Sequence, residues 1–217
     1  MKVGLLITTY NRPQYLRQTI ESLNRADLLN ANILVVDDAS RDIQTQRLTR
    51  PYKTIRNIRN LSIRHSLQIG FDRLVSDGCS LLINLDSDVI VRKDFLSKLI
   101  ELHKQFPYQI VSGFNTLTKS RTGNTRHPIV SSHRGYVTKR SIGGVNMAIS
   151  VNTYLTIVKP ALLESQITRD HWDKIACRIS NEQNKLIIVS SPSVIQHIGF
   201  DSAMGHRDNP DIAEDFI

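Results

Sequence analysis

Cysteine is scarce in this 217-residue chain: Cys79 and Cys177 are the only two, and they lack CxxC spacing. A disulfide scaffold is therefore excluded, and a reducing compartment, the cytoplasm, is expected. Long apolar runs are missing as well. The longest, Val3-Gly4-Leu5-Leu6-Ile7 and Ile33-Leu34-Val35-Val36, fall far short of the ~20 residues that a spanning helix needs. The N-terminus enters a strand-like run with no basic region ahead of an apolar one, so no signal peptide is expected. Aromatic residues make up only 6% and are not interleaved with basic ones, and no nucleic-acid-binding motif is present. A basic nucleic-acid module is disfavoured on that ground. Internal repeats and low-complexity segments are also lacking.

What is present is an ordinary globular balance, 40% hydrophobic and 22% charged, in a length suited to one domain or two fused halves. Lys plus Arg number 28 against 20 Asp plus Glu, a net charge of +8. The basic residues are scattered, with a loose concentration between Arg41 and Arg73. Such a distribution fits a solvated surface, or attraction of an anionic partner such as a phosphorylated small substrate.

Strand and helix signals alternate through the first half. Lys2 to Thr8 reads as a strand buried on both faces. Pro13 suits the first position of a helix whose Leu16, Ile20 and Leu23 recur at helical spacing. Ile33 to Val36 is a second buried strand, followed by Asp37-Asp38-Ala39-Ser40, with Ser40 or Asp42 placed to cap the next helix. A weak strand is expected within Ile55 to Ile63, then a helix from His65 to Val75 stopped by Asp77-Gly78. Leu81 to Leu85 is a third buried strand, running into Asp86-Ser87-Asp88. Asp94 to Phe106 is an amphipathic helix and Ile110 to Phe114 a strand. Residues 116 to 141 are polar and basic and read as a long loop or hairpin, a candidate lid. Beyond it come Gly143-Gly144, a strand over Val145 to Ser150, a helix over Asp170 to Ile179, and two short strands ending in His197-Ile198-Gly199. The tail from Asp201 to Ile217 is polar and is expected to be a linker to a further domain.

This alternation implies an α/β fold with a mostly parallel central sheet flanked by helices. Ligands of such sheets sit beyond the carboxyl ends of the strands. Polar residues cluster at three of those ends: Thr8-Thr9-Tyr10, Asp37-Asp38 and Asp86-Ser87-Asp88. Two carboxylates flanking one small residue suit Mg²⁺ or Mn²⁺, hard cations that bridge to substrate phosphates. The same residues also serve as helix caps. Neither carboxylate pair has an apparent cationic partner in the sequence, which favours the metal.

Thr8-Thr9-Tyr10-Asn11-Arg12-Pro13, Val35-Val36-Asp37-Asp38-Ala39-Ser40 and Leu85-Asp86-Ser87-Asp88, in that order, resemble the nucleotide-sugar glycosyltransferases of the GT-A fold, closest to family 2. The match is good over residues 1 to 110 and looser beyond. The resemblance implies a metal-dependent transfer of a sugar from a UDP-sugar to a hydroxyl of a glycan or glycoprotein. It implies that Thr8, Thr9, Tyr10 and Arg12 line the nucleotide pocket, that Asp38 reads the uracil N–H, and that Arg64 contacts base or phosphate. Asp86, Ser87 and Asp88 match the DxD segment, with Asp88 on the metal and Asp86 reaching ribose or metal-bound water. His197, in a Gln-His-Ile-Gly ending similar to several GT-A subfamilies, is then a further metal ligand; a structural histidine is the plainer alternative. Gly144 resembles the small-residue turn that admits the donor sugar.

The Glu-Asp pair that family 2 carries at a late helix is replaced here by Arg169-Asp170-His171-Trp172-Asp173. Asp170 and Asp173 are the candidate bases, and Trp172 is placed either to stack on a sugar or to pack in the core. The expected organisation is a GT-A domain over residues 1 to 200, its nucleotide-binding half at 1 to 110 and its acceptor and metal half at 111 to 200. As a whole, the chain is also similar to the capsid-glycosylating glycosyltransferase domains of chlorella viruses, which would place it in a host cytoplasm. Rival readings are a sugar-phosphate nucleotidyltransferase, whose Gly-rich first loop is missing here, and a non-catalytic glycan-binding module.

Overall fold

The computed structural model describes residues 1–119, 123, 125–200 and 211–217. Its centre is a nine-stranded sheet in the order β3-β2-β1-β4-β9-β6-β10-β8-β7. The first half of the chain contributes β1 (Val3–Thr9), β2 (Asn32–Asp37), β3 (Lys53–Arg56) and β4 (Leu81–Asp86), all parallel. The two-residue β6 (Val111–Ser112), β7 (Ile129–His133), β8 (Tyr136–Lys139), β9 (Asn146–Ser150) and β10 (Ile187–Ser190) complete it. β8 and β9 run against the others, so the sheet is parallel in the main and mixed on the far side.

Side chains alternate along each strand, and both faces of the central strands are covered, while the edge strands β3 and β7 are largely exposed. Leu6, Leu34 and Val36 face Phe71 and Leu74 of α3 (Ile63–Ser76) and the helices of the later half. Leu5, Ile7 and Val35 face Leu16, Ile20 and Leu23 of α1 (Pro13–Asn24) and Phe95, Leu96 and Leu99 of α4 (Phe95–Gln105). Most of these side chains are wholly buried. Burial of each is worth about 1.5–3 kcal/mol, which explains why continuous apolar runs, without polar alternation, form these strands. Pro13 occupies the first turn of α1, and Asp42 caps α2 (Ile43–Thr49) by accepting from the Gln44 and Thr45 amides.

Several expectations need correction. The strand near residue 55 ends at Arg56, and Ile63 opens α3 because the intervening loop is tied to Asp38. Residues 151–169, unassigned from sequence, hold α5 (Val151–Thr153), a π-helical turn (Tyr154–Val158) and α6 (Lys159–Thr168). α7 begins at Trp172 (Trp172–Glu182), which leaves Asp170 outside it. The lid candidate contains residues 120–122 and 124, which lie outside the described residues. Its later part takes the hairpin form. Residues 129–139 form the β7–β8 hairpin, locked to β10, and Lys139 is buried with its ammonium donating to the Thr116 carbonyl at 2.7 Å. Residues 201–210 of the expected tail lie outside the described residues. Residues 211–217 fold back on the domain: Ala213 is buried, and Asp215 accepts from Ser191, Ser193 and Asn115.

Candidate active site

Four strand ends meet at one cavity of about 630 Å³. β1 delivers Thr8, Thr9, Tyr10 and Arg12, β2 delivers Asp38, and β4 delivers Asp86, Ser87 and Asp88. β9 runs the opposite way, so the turn before it places Gly144 at the same edge. The first turn of α3 adds Ser62 and Arg64, and the start of α7 adds His171, Trp172 and Asp173.

Arg12 reaches this edge through an unusual backbone. Asn11 and Arg12 are both left-handed, with φ of 54° and 56°, a conformation that costs non-glycine residues free energy and concentrates at functional sites. The turn is held by the Asn11 amide donating to Ser40 Oγ at 2.7 Å and the Arg41 amide donating to Asn11 Oδ1 at 2.9 Å. The outcome is that Arg12 Nη1 donates to Asp88 Oδ2 at 2.9 Å, while Arg12 Nη2 is buried with no partner among the described residues. Thr9 Oγ1 nearby is likewise buried and unpaired. Buried polar atoms are rarely left so, and two in one cleft mark a place for a polar ligand.

A second, two-stranded sheet lies behind Asp88 and outside the cavity lining. β5 (Val89–Val91) pairs antiparallel with β11 (Ile195–His197), His197 lying opposite Val89. Buried hydroxyls of α1 hold β5, as Thr19 and Ser22 accept from the Val89 and Val91 amides. His197 Nε2 thereby stands 3.4 Å from Asp88 Oδ2. Burial pushes the Asp88 carboxyl up, but the His197 hydrogen bond and the Arg12 charge outweigh it, and its pKa is lowered. Burial alone would lower His197, yet Asp88 raises it above the usual histidine value. Asp86 goes the other way. Its pKa is raised well above the usual carboxylate range by burial and then by the neighbouring Asp88 charge.

A match to the model of the family described as "Glycosyl transferase family 2" covers residues 5–162, which includes all three motifs at these strand ends. The chain belongs to glycosyl transferase family 2. An "Uncharacterized glycosyltransferase" of Haemophilus influenzae is 27% identical over 107 residues, covering 45% of this chain and 31% of that protein. This family 2 chain therefore spans about a third of the length of the curated relative that it matches. Among solved structures it is similar to GalNAc-T7 with UDP, GalNAc and Mn²⁺ (TM-score 0.69, 14% identity), over 91% of this chain and 44% of that one. It is similar also to residues 1–349 of S. aureus TarS (TM-score 0.62, 15% identity), over 92% of this chain and 61% of that one. At such identities the likeness establishes a shared fold, the single α/β domain expected from sequence.

Within this family 2 domain some expected roles shift. Asp37 and Asp88 do have cationic partners, contrary to the sequence reading: Arg56 binds Asp37 at 2.6 Å and Arg12 binds Asp88. Both come from other strand ends, so no spacing rule reveals them. Asp37 also accepts from the Ser40 amide, the role of a loop cap. Asp38 lines the cavity but is occupied by the chain, accepting from the Leu61 and Ser62 amides at 2.8 and 2.9 Å and from Asn57 Nδ2 at 2.8 Å. Arg64 donates to the Ser165 carbonyl at 2.5 Å, which ties α3 to α6 at the rim. Gly144 is needed by a protein side chain: a Cβ there would lie 2.8 Å from the Trp172 ring. Trp172 is packed against it and mostly buried. Asp170 is exposed and outside the cavity, and its carbonyl accepts from Ser165 Oγ. Asp173 is in the cavity wall, close enough to raise the Asp86 pKa.

Gly199 is a candidate site residue that the sequence motifs did not single out. A Cβ on it would lie 2.1 Å from Asp88 Oδ2 and 2.8 Å from His197 Nε2. The signal was its place two residues after His197.

The donor types fit a hard divalent cation, being carboxylate oxygens and one imidazole. Asp86 has no hydrogen-bond donor on its carboxylate among the described residues, and a cation would offset both the burial and the Asp88 charge that raise its pKa. No three His, Cys, Asp or Glu side chains form a cage among the described residues, so Asp86, Asp88 and His197 are not assembled as a complete ligand set. That suits an ion held by one or two carboxylates together with substrate phosphates. No helix among the described residues is long and apolar enough to cross a membrane.

Proposed function

We propose that this chain moves a sugar from a UDP-sugar to a hydroxyl of a glycan or glycoprotein, with Mn²⁺ or Mg²⁺ bound beside Asp88. The observation that carries this reading is the cavity itself, where unpaired Arg12 Nη2 and Thr9 Oγ1 meet Asp86, Asp88 and Asp173 at one sheet edge. Family membership supports it, as does the fold neighbour crystallised with UDP and Mn²⁺.

Asp38 and the amide loop that it ties off receive the uracil, with Tyr10 against its face. Arg12 turns its free Nη2 to the diphosphate, and Arg64 stands at the rim. Asp86 reaches the ribose. When bound, the cation neutralises charge that develops on the leaving diphosphate. Asp88 and His197 are the residues that would hold it, with Asp86 acting directly or through water. Asp173 takes the proton from the acceptor hydroxyl, whose oxygen bonds to the anomeric carbon as the bond to UDP breaks, with inversion. Trp172, fixed by Gly144, walls the sugar subsite. The whole-chain resemblance suggests a viral capsid glycoprotein as the first acceptor to try.

The test is thermal and chemical. Melting temperature is measured with UDP, with Mn²⁺ and with both, and a panel of UDP-sugars is screened for hydrolysis. Stabilisation by UDP that grows with Mn²⁺ is expected, and its absence would sink the reading. The anomeric proton of the first-formed product, followed by NMR, decides between inversion and retention.

A further inference from the structure

A second cleft, of about 650 Å³, opens on the other side of the α7 N-terminus, and it shares His171 and Asp173 with the first. No Phe, Tyr or Trp lines it, although stacking rings are the usual means of gripping a neutral sugar. Its walls are basic instead, with Arg126, Arg140, Lys174 and Arg178 against Asp173 and Glu182. Two of those cations are already neutralised. Arg178 is paired with Glu164 at 2.7 Å and Glu182 at 2.9 Å, and Arg126 with Asp211 at 3.2 Å. Arg140 and Lys174 have no carboxylate partner among the described residues, and both are exposed. Between them, Asn181 donates Nδ2 to the Arg140 carbonyl at 2.8 Å, while its Oδ1 is buried and unpaired among the described residues. His171, the residue before α7, offers no side-chain cap, but Asp173 in the first turn accepts from the Lys174 amide at 2.9 Å, so what this cleft offers an anion is the pair Arg140 and Lys174.

We propose that this cleft is the acceptor site and that it selects an acceptor carrying an oxyanion, a phosphate or a carboxylate, next to the reacting sugar. Arg140 and Lys174 bind the anion, Asn181 Oδ1 accepts from a sugar hydroxyl, and the reacting hydroxyl reaches Asp173 where the two cavities join. The inference rests on the reading of the first cavity as the donor site, and it adds the acceptor's charge. The volume suits a sugar phosphate or a uronic acid, within the ~300–1,000 Å³ usual for ligand sites.

Glucose 6-phosphate, glucuronate, glucose and inorganic phosphate serve as probes, titrated into ¹⁵N-labelled protein. At least one charged sugar should shift the Ser141, Lys174 and Asn181 amides, with glucose binding at least about tenfold more weakly. The Arg140→Gln/Lys174→Gln protein should lose about tenfold in affinity for that sugar, and the effect should fade with added salt. Single Arg140→Gln and Lys174→Gln proteins serve if the double variant is unfolded. Equal binding of glucose, inorganic phosphate as tight as the charged sugar, or unchanged affinity in the variants would each overturn the proposal. UDP is titrated separately into the wild type. Failure of UDP to bind would overturn the donor reading while the charged-sugar result still decides the cleft.

Discussion

His197 Nε2 stands 3.4 Å from Asp88 Oδ2, and Gly199 closes over the pair so tightly that no side chain fits there. The last residue of β11 thus supplies the histidine, and the turn after it supplies the space that lets it meet Asp88. Gly199→Ala should push Asp88 and His197 apart. Metal-stimulated turnover should fall about 10- to 100-fold, the range seen when groups supporting a metal ligand are removed, with a small change in melting temperature. Asp88→Ala should abolish metal-dependent UDP binding, since it removes the partner of Arg12 as well. Wild-type manganese activation in either variant would contradict this assignment.

Asp173 and Asp170 are separated by the geometry even though they are near neighbours in sequence. Asp173→Asn should lower transfer by roughly 10²- to 10⁴-fold with UDP affinity retained, as expected for loss of a base. Asp170→Asn, outside the cavity, should transfer at the wild-type rate. Single-turnover assays on the two variants compare them directly, and a larger loss at Asp170 would reverse the roles.

Asp38→Ala should do two things at once. UDP should bind more weakly with or without metal, because the pocket proposed for uracil loses its wall. The Leu61 and Ser62 amides and Asn57 also lose their acceptor, which costs about 1–3 kcal/mol and lowers the melting temperature by several degrees. Calorimetry of UDP binding and a melt of the free protein measure the two effects separately.

Gly144→Ala should force the Trp172 ring to move, since a Cβ would lie 2.8 Å from it. Overpacking of this kind costs about 1–3 kcal/mol. Because Trp172 and Asp173 are adjacent at the start of α7, turnover should fall along with the melting temperature. A variant with native stability and native activity would show that the ring has room.

Lys139 gives a pH signature. Burial lowers its ammonium pKa to about 8, while nearby Asp215 and Glu214 act to raise it. The unfolded chain keeps the ordinary value near 10.4, so between about pH 8 and 10.4 it binds more protons than the folded one. The contribution of this group to stability therefore rises with pH across that window. Urea midpoints of wild type and Lys139→Met at pH 7.5 and 9.5 should differ more in favour of wild type at the higher pH. A constant difference would show that the ammonium is not perturbed.

Sequence alone determined the strands and motifs of the first half of the chain. Runs such as Val3–Ile7 and Ile33–Val36 are apolar at every position because both faces of a parallel sheet are covered, a demand that local pattern expresses directly. Thr8 to Arg12, Asp38 and Asp86 to Asp88 then follow at strand ends, where chain order itself fixes the site. Tertiary structure alone decided what those residues touch. Arg12 meets Asp88 through two left-handed residues, Arg56 meets Asp37 from a third strand, and His197 arrives through a two-stranded ladder with β5. It also decided that Asp173 rather than Asp170 faces the cavity, because α7 starts at Trp172, which packs on Gly144. Hydrophobic periodicity repeats within a few residues and can be read locally. Ion pairs and close contacts join residues far apart in the chain, and nothing in their spacing records them until the sheet brings them together.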